Sequence, residues 1–340
     1  MPKWLLIPAL IIMIAVTGGC AKRNTAYQED EWLSLEKRLE VVGDPLDISL
    51  DNNYMYVALD QGGIGTIRRN DYQQKWYTSI KWLDGSTYAL TRVPKLQVVG
   101  ENNRLFCVET GSPDRIITLD TSVPDTLKTV GVNIGATQGI QDISLSSMAT
   151  PTSGYIIEGG YCLGGKMYYT RYKDEDYIWL DNLFNITLPA TGSGFSMNAT
   201  HFFIAAQQRG LVIYNRSNQQ LVSEFALPGS ALKVKIAGNL AFIASRQGGL
   251  NIVDIANPAA PVLLGSFATS NFSTRVDVSG NKAAISTGSG GVYLFDVSNP
   301  AQPVLLQHLS SCGYANTVRF MDDKLVVATR DQGILVYRIK

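Results

Sequence analysis

Two stretches of this chain are near-copies of each other at a fixed spacing. Residues 248–267 read GGLNIVDIANPAAPVLLGSF and residues 290–309 read GGVYLFDVSNPAQPVLLQHL, so their starts lie 42 residues apart. A repeat of that length is one supersecondary unit that cannot bury its own apolar face and has to stack on further copies. The chain is thereby restricted to a repeat architecture. Most repeated residues build the scaffold, so ligand chemistry is sought where the repeat breaks.

Each copy follows a hairpin signal. In LKVKIAGNLAFIAS (232–245) apolar residues alternate up to Gly238-Asn239, and a second short apolar run begins. Gly and Asn tolerate positive φ, which makes such a turn between two apolar runs a strong hairpin signal. The pattern recurs in DNNYMYVA (51–58), ENNRLFCV (101–108), GGKMYYT (164–170), NATHFFIA (198–205), SGNKAAIS (279–286) and DDKLVVAT (322–329). Taking Asn53, Asn103, Gly165, Thr200, Asn239, Asn281 and Asp323 as equivalent gives seven units, at spacings of 50, 62, 35, 39, 42 and 42 residues. Third strands are expected at 64–67, 115–119, 177–180, 211–214, 250–254, 292–296 and 334–339, and fourth strands at 262–267 and 304–309. Four short strands in about 40–45 residues make a propeller blade. The expected fold is all-β, a seven-bladed β-propeller over residues 36–340. The last unit ends at Lys340 without a fourth strand, whereas LEKRLEVVGD (35–44) precedes the first hairpin. Residues 37–43 are therefore expected to complete the blade that begins at 317, so that the N-terminal strand closes the ring and removes its unpaired edges.

The two copies contain Leu250-Asn251-Ile252-Val253-Asp254 and Val292-Tyr293-Leu294-Phe295-Asp296, and Leu211-Val212-Ile213-Tyr214-Asn215 is a poorer version. Asn257-Pro258 with Pro261, and Asn299-Pro300 with Pro303, follow at matching positions. This resembles the LVIVD-repeat family over about residues 195–340, while the N-terminal half departs from it. The resemblance implies a propeller, often surface-exposed, and no common biochemical activity.

Residues 1–20 read MPKWLLIPALIIMIAVTGGC. Lys3 is a positive start and Trp4–Val16 an apolar core, a length that suits a signal peptide and is short for a span of about 20 residues. Gly18 and Gly19 before Cys20 resemble the lipobox of bacterial lipoproteins, with Thr17 where that family usually has Leu. The resemblance implies a lipoprotein signal peptide at 1–19, acylation of Cys20, and a membrane anchor through that lipid. Ala21 after the cysteine implies sorting to the outer membrane. Residues 20–35 are expected to be a polar tether.

The 29 basic and 29 acidic residues cancel, and no long run has one sign. Nucleic-acid binders carry a basic footprint, so no nucleic-acid partner is expected. Of the remaining cysteines, Cys107 and Cys162 fall in adjacent units; a bridge between them and three buried free thiols, Cys312 included, are both open. No catalytic motif, metal-ligand spacing or phosphate loop occurs, so no metal, cofactor or enzymatic activity is expected. His201 and His308 occupy ordinary strand positions. Asp254 and Asp296 are read as turn formers that accept backbone N–H bonds.

The first spacings, 50 and 62, exceed the regular 42, and the extra residues fall near 69–95 and 145–175. Insertions map to loops, and loops on a rigid scaffold carry binding. Tyr and Trp are enriched in binding hot spots, so Tyr72, Trp76, Trp82 and Tyr161 are the candidate contacts. Tyr168 and Tyr169 align with Phe242 and Ile243 and are read as structural. The leading expectation is a lipid-anchored, non-catalytic module of the cell envelope that binds an envelope protein. The alternative is a glycan-binding or glycan-processing propeller that stacks sugars on Trp76 and Trp82.

Overall fold

The computed structural model describes residues 31–134, 139–174 and 178–340. Residues 1–30, which hold the expected signal segment, Cys20 and most of the expected tether, lie outside the described residues.

Seven sheets, each with a four-stranded antiparallel blade, radiate from a central channel. Their innermost strands are Asp47–Leu50, Lys95–Val99, Ile140–Thr152, Gly194–Met197, Ala231–Ala237, Arg275–Ser279 and Ala315–Met321. Each touches the next, and the last touches the first, so the ring is closed. The fold is an all-β, seven-bladed propeller, as the repeat predicts. Middle strands such as Tyr54–Ala58 and Leu211–Asn215 are buried over nearly their whole length. A strand packed on both faces reads as a continuous apolar run, because neither face meets water. The core is accordingly divided into seven apolar clusters, one between each pair of neighbouring blades.

The N-terminal strand closes the seventh blade. Leu33–Leu39 pairs antiparallel with Gly333–Ile339, from Leu33 opposite Ile339 to Leu39 opposite Ile334. The closing segment thus lies four residues earlier than the expected 37–43, and it starts within the segment read as tether. Burial decides the register. Leu33 and Leu39 are 1% and 2% exposed and belong to the clusters on the two faces of this blade. A register shift between Leu35 and Lys37 lets one short strand serve both. The Val41-Val42 pair that drew the expected strand forward lies past the strand's end, with Val42 half exposed.

One glycine recurs at the turn from second to third strand. Gly63, Gly210, Gly249, Gly291 and Gly333 all have positive φ. A Cβ at each would come within 2.0 to 2.3 Å of the carbonyl oxygen of Tyr77, Phe225, Phe267, Leu309 and Leu39 respectively. In four blades that carbonyl ends the blade's own fourth strand, and in the seventh it ends the N-terminal strand. Leu33–Leu39 therefore occupies the fourth-strand position in atomic detail. Gly249→Ala is expected to lower stability by about 2–4 kcal/mol, since it combines a left-handed backbone with a backbone clash. Chemical denaturation checks this; a loss below about 1 kcal/mol contradicts it.

The third blade departs most from the repeat. Its strands Ile140–Thr152, Tyr155–Leu163, Lys166–Asp174 and Ile178–Thr187 are longer than those of its neighbours. Its first hairpin turns at Ser153-Gly154, both at positive φ. Gly164-Gly165, taken as that turn from the sequence, instead joins the second strand to the third. The two turns share their Gly chemistry, so local sequence does not separate them. Tyr168 and Tyr169 therefore sit on a third strand, equivalent to Leu250–Asp254 of the regular repeat rather than to Phe242 and Ile243, and the 178–180 run belongs to a fourth strand. Extra length here extends strands rather than loops. The other excess folds as the hairpin Ser79–Lys81 and Thr87–Ala89, added to the outer edge of the second blade through Lys81 and Lys128.

Candidate functional site

The repeated carboxylates build turns. Asp254 Oδ1 accepts the N–H of Ala256 at 2.8 Å and Asp296 Oδ1 that of Ser298 at 2.7 Å. Asp120 and Asn215 do the same for Ser122 and Ser217. That backbone bond is the main reason the Asp296 carboxyl is held below its usual range. Asn257 and Asn299 repeat the device two residues ahead, at Ala259 and Ala301. These side chains are spent on local structure, as expected for turn residues. Among the described residues no group of three or more His, Cys, Asp and Glu is placed to hold a metal.

The longest strands create a groove. It lies between the third and fourth blades, encloses about 670 Å³, and has Met148, Leu183 and Phe184 among its apolar walls. Its floor is a polar cluster. Tyr169 donates its hydroxyl proton to Glu158 Oε2 at 2.6 Å, and Arg216 Nη2 donates to the Tyr169 oxygen at 2.6 Å. Arg216 also forms an ion pair with Glu158, and both side chains are largely buried. The Arg216 guanidinium lies 5.1 Å from the Tyr169 ring centroid, within cation–π range. Arg171 Nε reaches the same hydroxyl at 3.4 Å, and this contact raises its pKa further above the ordinary arginine value. Among the described residues Arg171 has no carboxylate in ion-pair contact. Among the described side chains the cluster sets two guanidinium groups and one carboxylate beside an apolar wall.

A second polar feature fills the central channel, a cavity of about 220 Å³. Asp142 of the third blade pairs with Lys233 of the fifth at 2.5 Å, reaching past the fourth blade. Gly194 permits this, because a Cβ there would sit 2.7 Å from the Lys233 Cα. Asp142 also accepts the Phe195 N–H at 2.9 Å. Burial pushes its carboxyl up, but Lys233, Lys95 and Arg275 outweigh burial and hold it below the usual range. Asp47 pairs with Arg319 at 2.9 Å, and Asp277 accepts the Phe320 N–H at 2.9 Å. Asp-Ile-Ser at 47–49 and 142–144 and Asp-Val-Ser at 277–279 are a recurrence that marks these channel residues in the sequence.

The four aromatic candidates are not brought together. Tyr72 sits in a turn of the first blade at φ 59, with its hydroxyl 3.0 Å from Lys324 of the seventh. Trp76 lies on the outer strand Gln74–Tyr77, its ring over Gly65, where a Cβ would be 2.4 Å from the indole. Trp82 belongs to the added hairpin and stacks on Tyr88 at 4.3 Å. Tyr161 is 4% exposed and stacks on Tyr168 at 4.9 Å inside the cluster between second and third blades. His201 bonds the Thr200 hydroxyl, and His308 stacks on Tyr293 at 3.9 Å. Cys107, Cys162 and Cys312 are buried free thiols. Burial raises all three pKa values, that of Cys312 to about 11.

The family model described as LVIVD repeat matches residues 42–65, 228–269 and 273–309. The chain carries LVIVD repeats. The two regular copies coincide with the fifth and sixth blades, and the match at 42–65 places a further repeat at the first blade, where the sequence reading saw only departure. No curated protein matches the sequence. Among solved structures, the chain is similar to the WD40 β-propeller domain of Doa1, with 13% identity, 91% of this chain and 97% of that one covered, and a TM-score of 0.68. It is similar to the β-propeller domain of Myceliophteria thermophila Cps50 (Swd1), with 9% identity, 91% and 100% coverage and a TM-score of 0.68. The computationally designed Ika8 protein is similar at 11% identity, 89% and 98% coverage and a TM-score of 0.63. At these identities the likeness concerns the fold.

Proposed function

We propose that this propeller is a lipid-anchored, non-catalytic interaction module of the bacterial cell envelope, and that its groove takes an extended segment of a partner protein. The observation that carries the reading is the groove between the third and fourth blades. It sets the Arg171 guanidinium, which is in no ion pair among the described residues, beside an apolar wall, in the part of the chain that breaks the repeat. Arginine beside partly exposed apolar surface is the composition of a binding hot spot. A segment with a carboxylate next to an apolar side chain complements it in charge and in surface. The anchor rests on the lipobox-like run ending at Cys20, with sorting to the outer membrane favoured by Ala21. The glycan alternative has less support, because Trp82 already stacks on Tyr88 and Trp76 packs over Gly65.

In-cell crosslinking followed by purification from membranes tests this on the native chain, Cys20→Ser and Arg171→Glu. The native chain should recover one recurrent protein. Arg171→Glu should lose it at least several-fold while remaining folded and membrane-bound, because a like charge then faces the partner's carboxylate. Cys20→Ser should leave the membrane fraction. Equal recovery by native and Arg171→Glu chains would remove the groove from the reading.

A further inference from the structure

We propose that a pocket at the end of the propeller opposite the groove binds a saccharide that carries a carboxylate, with the sugar ring against Phe272 and Tyr314 and the carboxylate on Arg246. The pocket encloses about 430 Å³ and is lined by loops of the fifth, sixth and seventh blades. Phe272 lies between the strands Val262–Phe267 and Arg275–Ser279, and Tyr314 between Val304–Leu309 and Ala315–Met321. Arg246 and Ser289 come from the turns that join second to third strands in the fifth and sixth blades. Loops held on a rigid scaffold are where binding residues gather. Phe272 is 54% exposed and Tyr314 39%, whereas most large apolar side chains of this chain pack between blades. Each ring is held by a guanidinium, that of Arg246 at 5.2 Å from the Phe272 centroid and that of Arg330 at 4.2 Å from the Tyr314 centroid. Tyr314 also rests on Gly288, where a Cβ would lie 3.0 Å from its Cζ.

The polar lining is rich in donors that nothing engages. Among the described residues the Arg246 guanidinium has neither a hydrogen bond nor an ion pair, and its one contact is the Phe272 ring. Asn271 Oδ1 accepts the Ser270 hydroxyl at 3.2 Å, which leaves the Asn271 amide N–H groups open. The hydroxyls of Ser289 and Tyr314 are likewise without a partner among the described residues. No Asp or Glu lines the pocket. Asp331 is taken by the Tyr314 N–H at 2.8 Å, and Asp44 by Arg330 at 3.4 Å. A wholly apolar ligand would leave these donors desolvated and unpaired. An inorganic anion would use Arg246 and neither ring. A carboxylated sugar uses both. Its C–H groups meet the negative face of an aromatic ring, its hydroxyl oxygens accept from Asn271, Ser289 and Tyr314, and its carboxylate accepts from the guanidinium fork of Arg246. The volume lies in the range of small-molecule sites, about 300–1,000 Å³. The site shares no residue with the groove and does not use Trp76 or Trp82.

Isothermal titration of the purified chain with glucuronate and galacturonate tests the site, with glucose and acetate as references. At least one of the two uronates should bind in one saturable event per chain. Glucose lacks the carboxylate and acetate lacks the ring, so each should bind at least about tenfold more weakly. Arg246→Gln should remove the preference for the uronate over glucose, and Phe272→Ala should weaken the uronate at least about fivefold. Both side chains are exposed, so both variants should keep the native melting curve. Arg171→Glu, in the groove, should leave the titration unchanged. No saturable binding of either uronate, equal binding of glucose, or native affinity in either pocket variant overturns the proposal. A loss of binding in Arg171→Glu would place the ligand in the groove and overturns it as well.

Discussion

A chain that begins at residue 41 should lose its cooperative melt and aggregate, whereas a chain that begins at residue 31 should melt like the full-length protein. The difference between them is Leu33–Leu39, the outer strand of the seventh blade. Leu33 and Leu39 are fully buried, and each contributes about 2 kcal/mol through burial of its side chain. Strand pairing with Gly333–Ile339 is lost as well. Removing the strand uncovers an edge that contains Ile334, Leu335 and Val336, and an unpaired apolar edge recruits other chains. Size-exclusion chromatography with thermal melting reads both effects. A monomeric truncated chain with an unchanged midpoint would show that the strand is dispensable for closure.

Lys95→Met should make the protein more stable at neutral pH and flatten its stability profile between about pH 7 and 9. The folded chain holds this amine at a pKa of about 7, against an ordinary value of 10.5. Between those values the unfolded chain binds the proton and the folded chain does not, so native stability rises with pH across the window. At neutral pH the penalty is on the order of 4 kcal/mol. Methionine fills similar volume without a charge, and replacing a buried unpaired charge by an apolar group removes its desolvation cost. Urea titrations at several pH values measure the slope. A variant with the native slope, or one less stable at neutral pH, contradicts the account.

The blade was legible where the copies are regular, because turn glycines, strand alternation and the Asp-x-x-Asn-Pro turn all act within a few residues. The third blade misled because Gly164-Gly165 and Ser153-Gly154 are both good hairpin turns, and only pairing across the sheet shows which joins the first two strands. The groove was legible as an irregular spacing, not as residues. Glu158 and Arg216 meet through the packing of two blades, and no local pattern announces that pair. The aromatic candidates were chosen for residue type, and strand packing claimed Tyr161 while turns and outer strands took the others. The channel carboxylates left a readable trace in the recurring Asp-Ile/Val-Ser, but their partners are set by ring closure. Asp142 meets Lys233 across the fourth blade, where Gly194 leaves room for the Lys233 backbone to come close.

The pairing of Leu33 with Ile339 also fixes a direction. A fourth strand starts at the end of the propeller where first strands finish and third strands finish. Thr152, Thr200 and Arg216, which border the groove, lie at that same end. The chain therefore enters the propeller on the groove's side. One rim of the propeller thus carries both the entry of the chain at Leu33 and the groove, and the opposite rim carries neither.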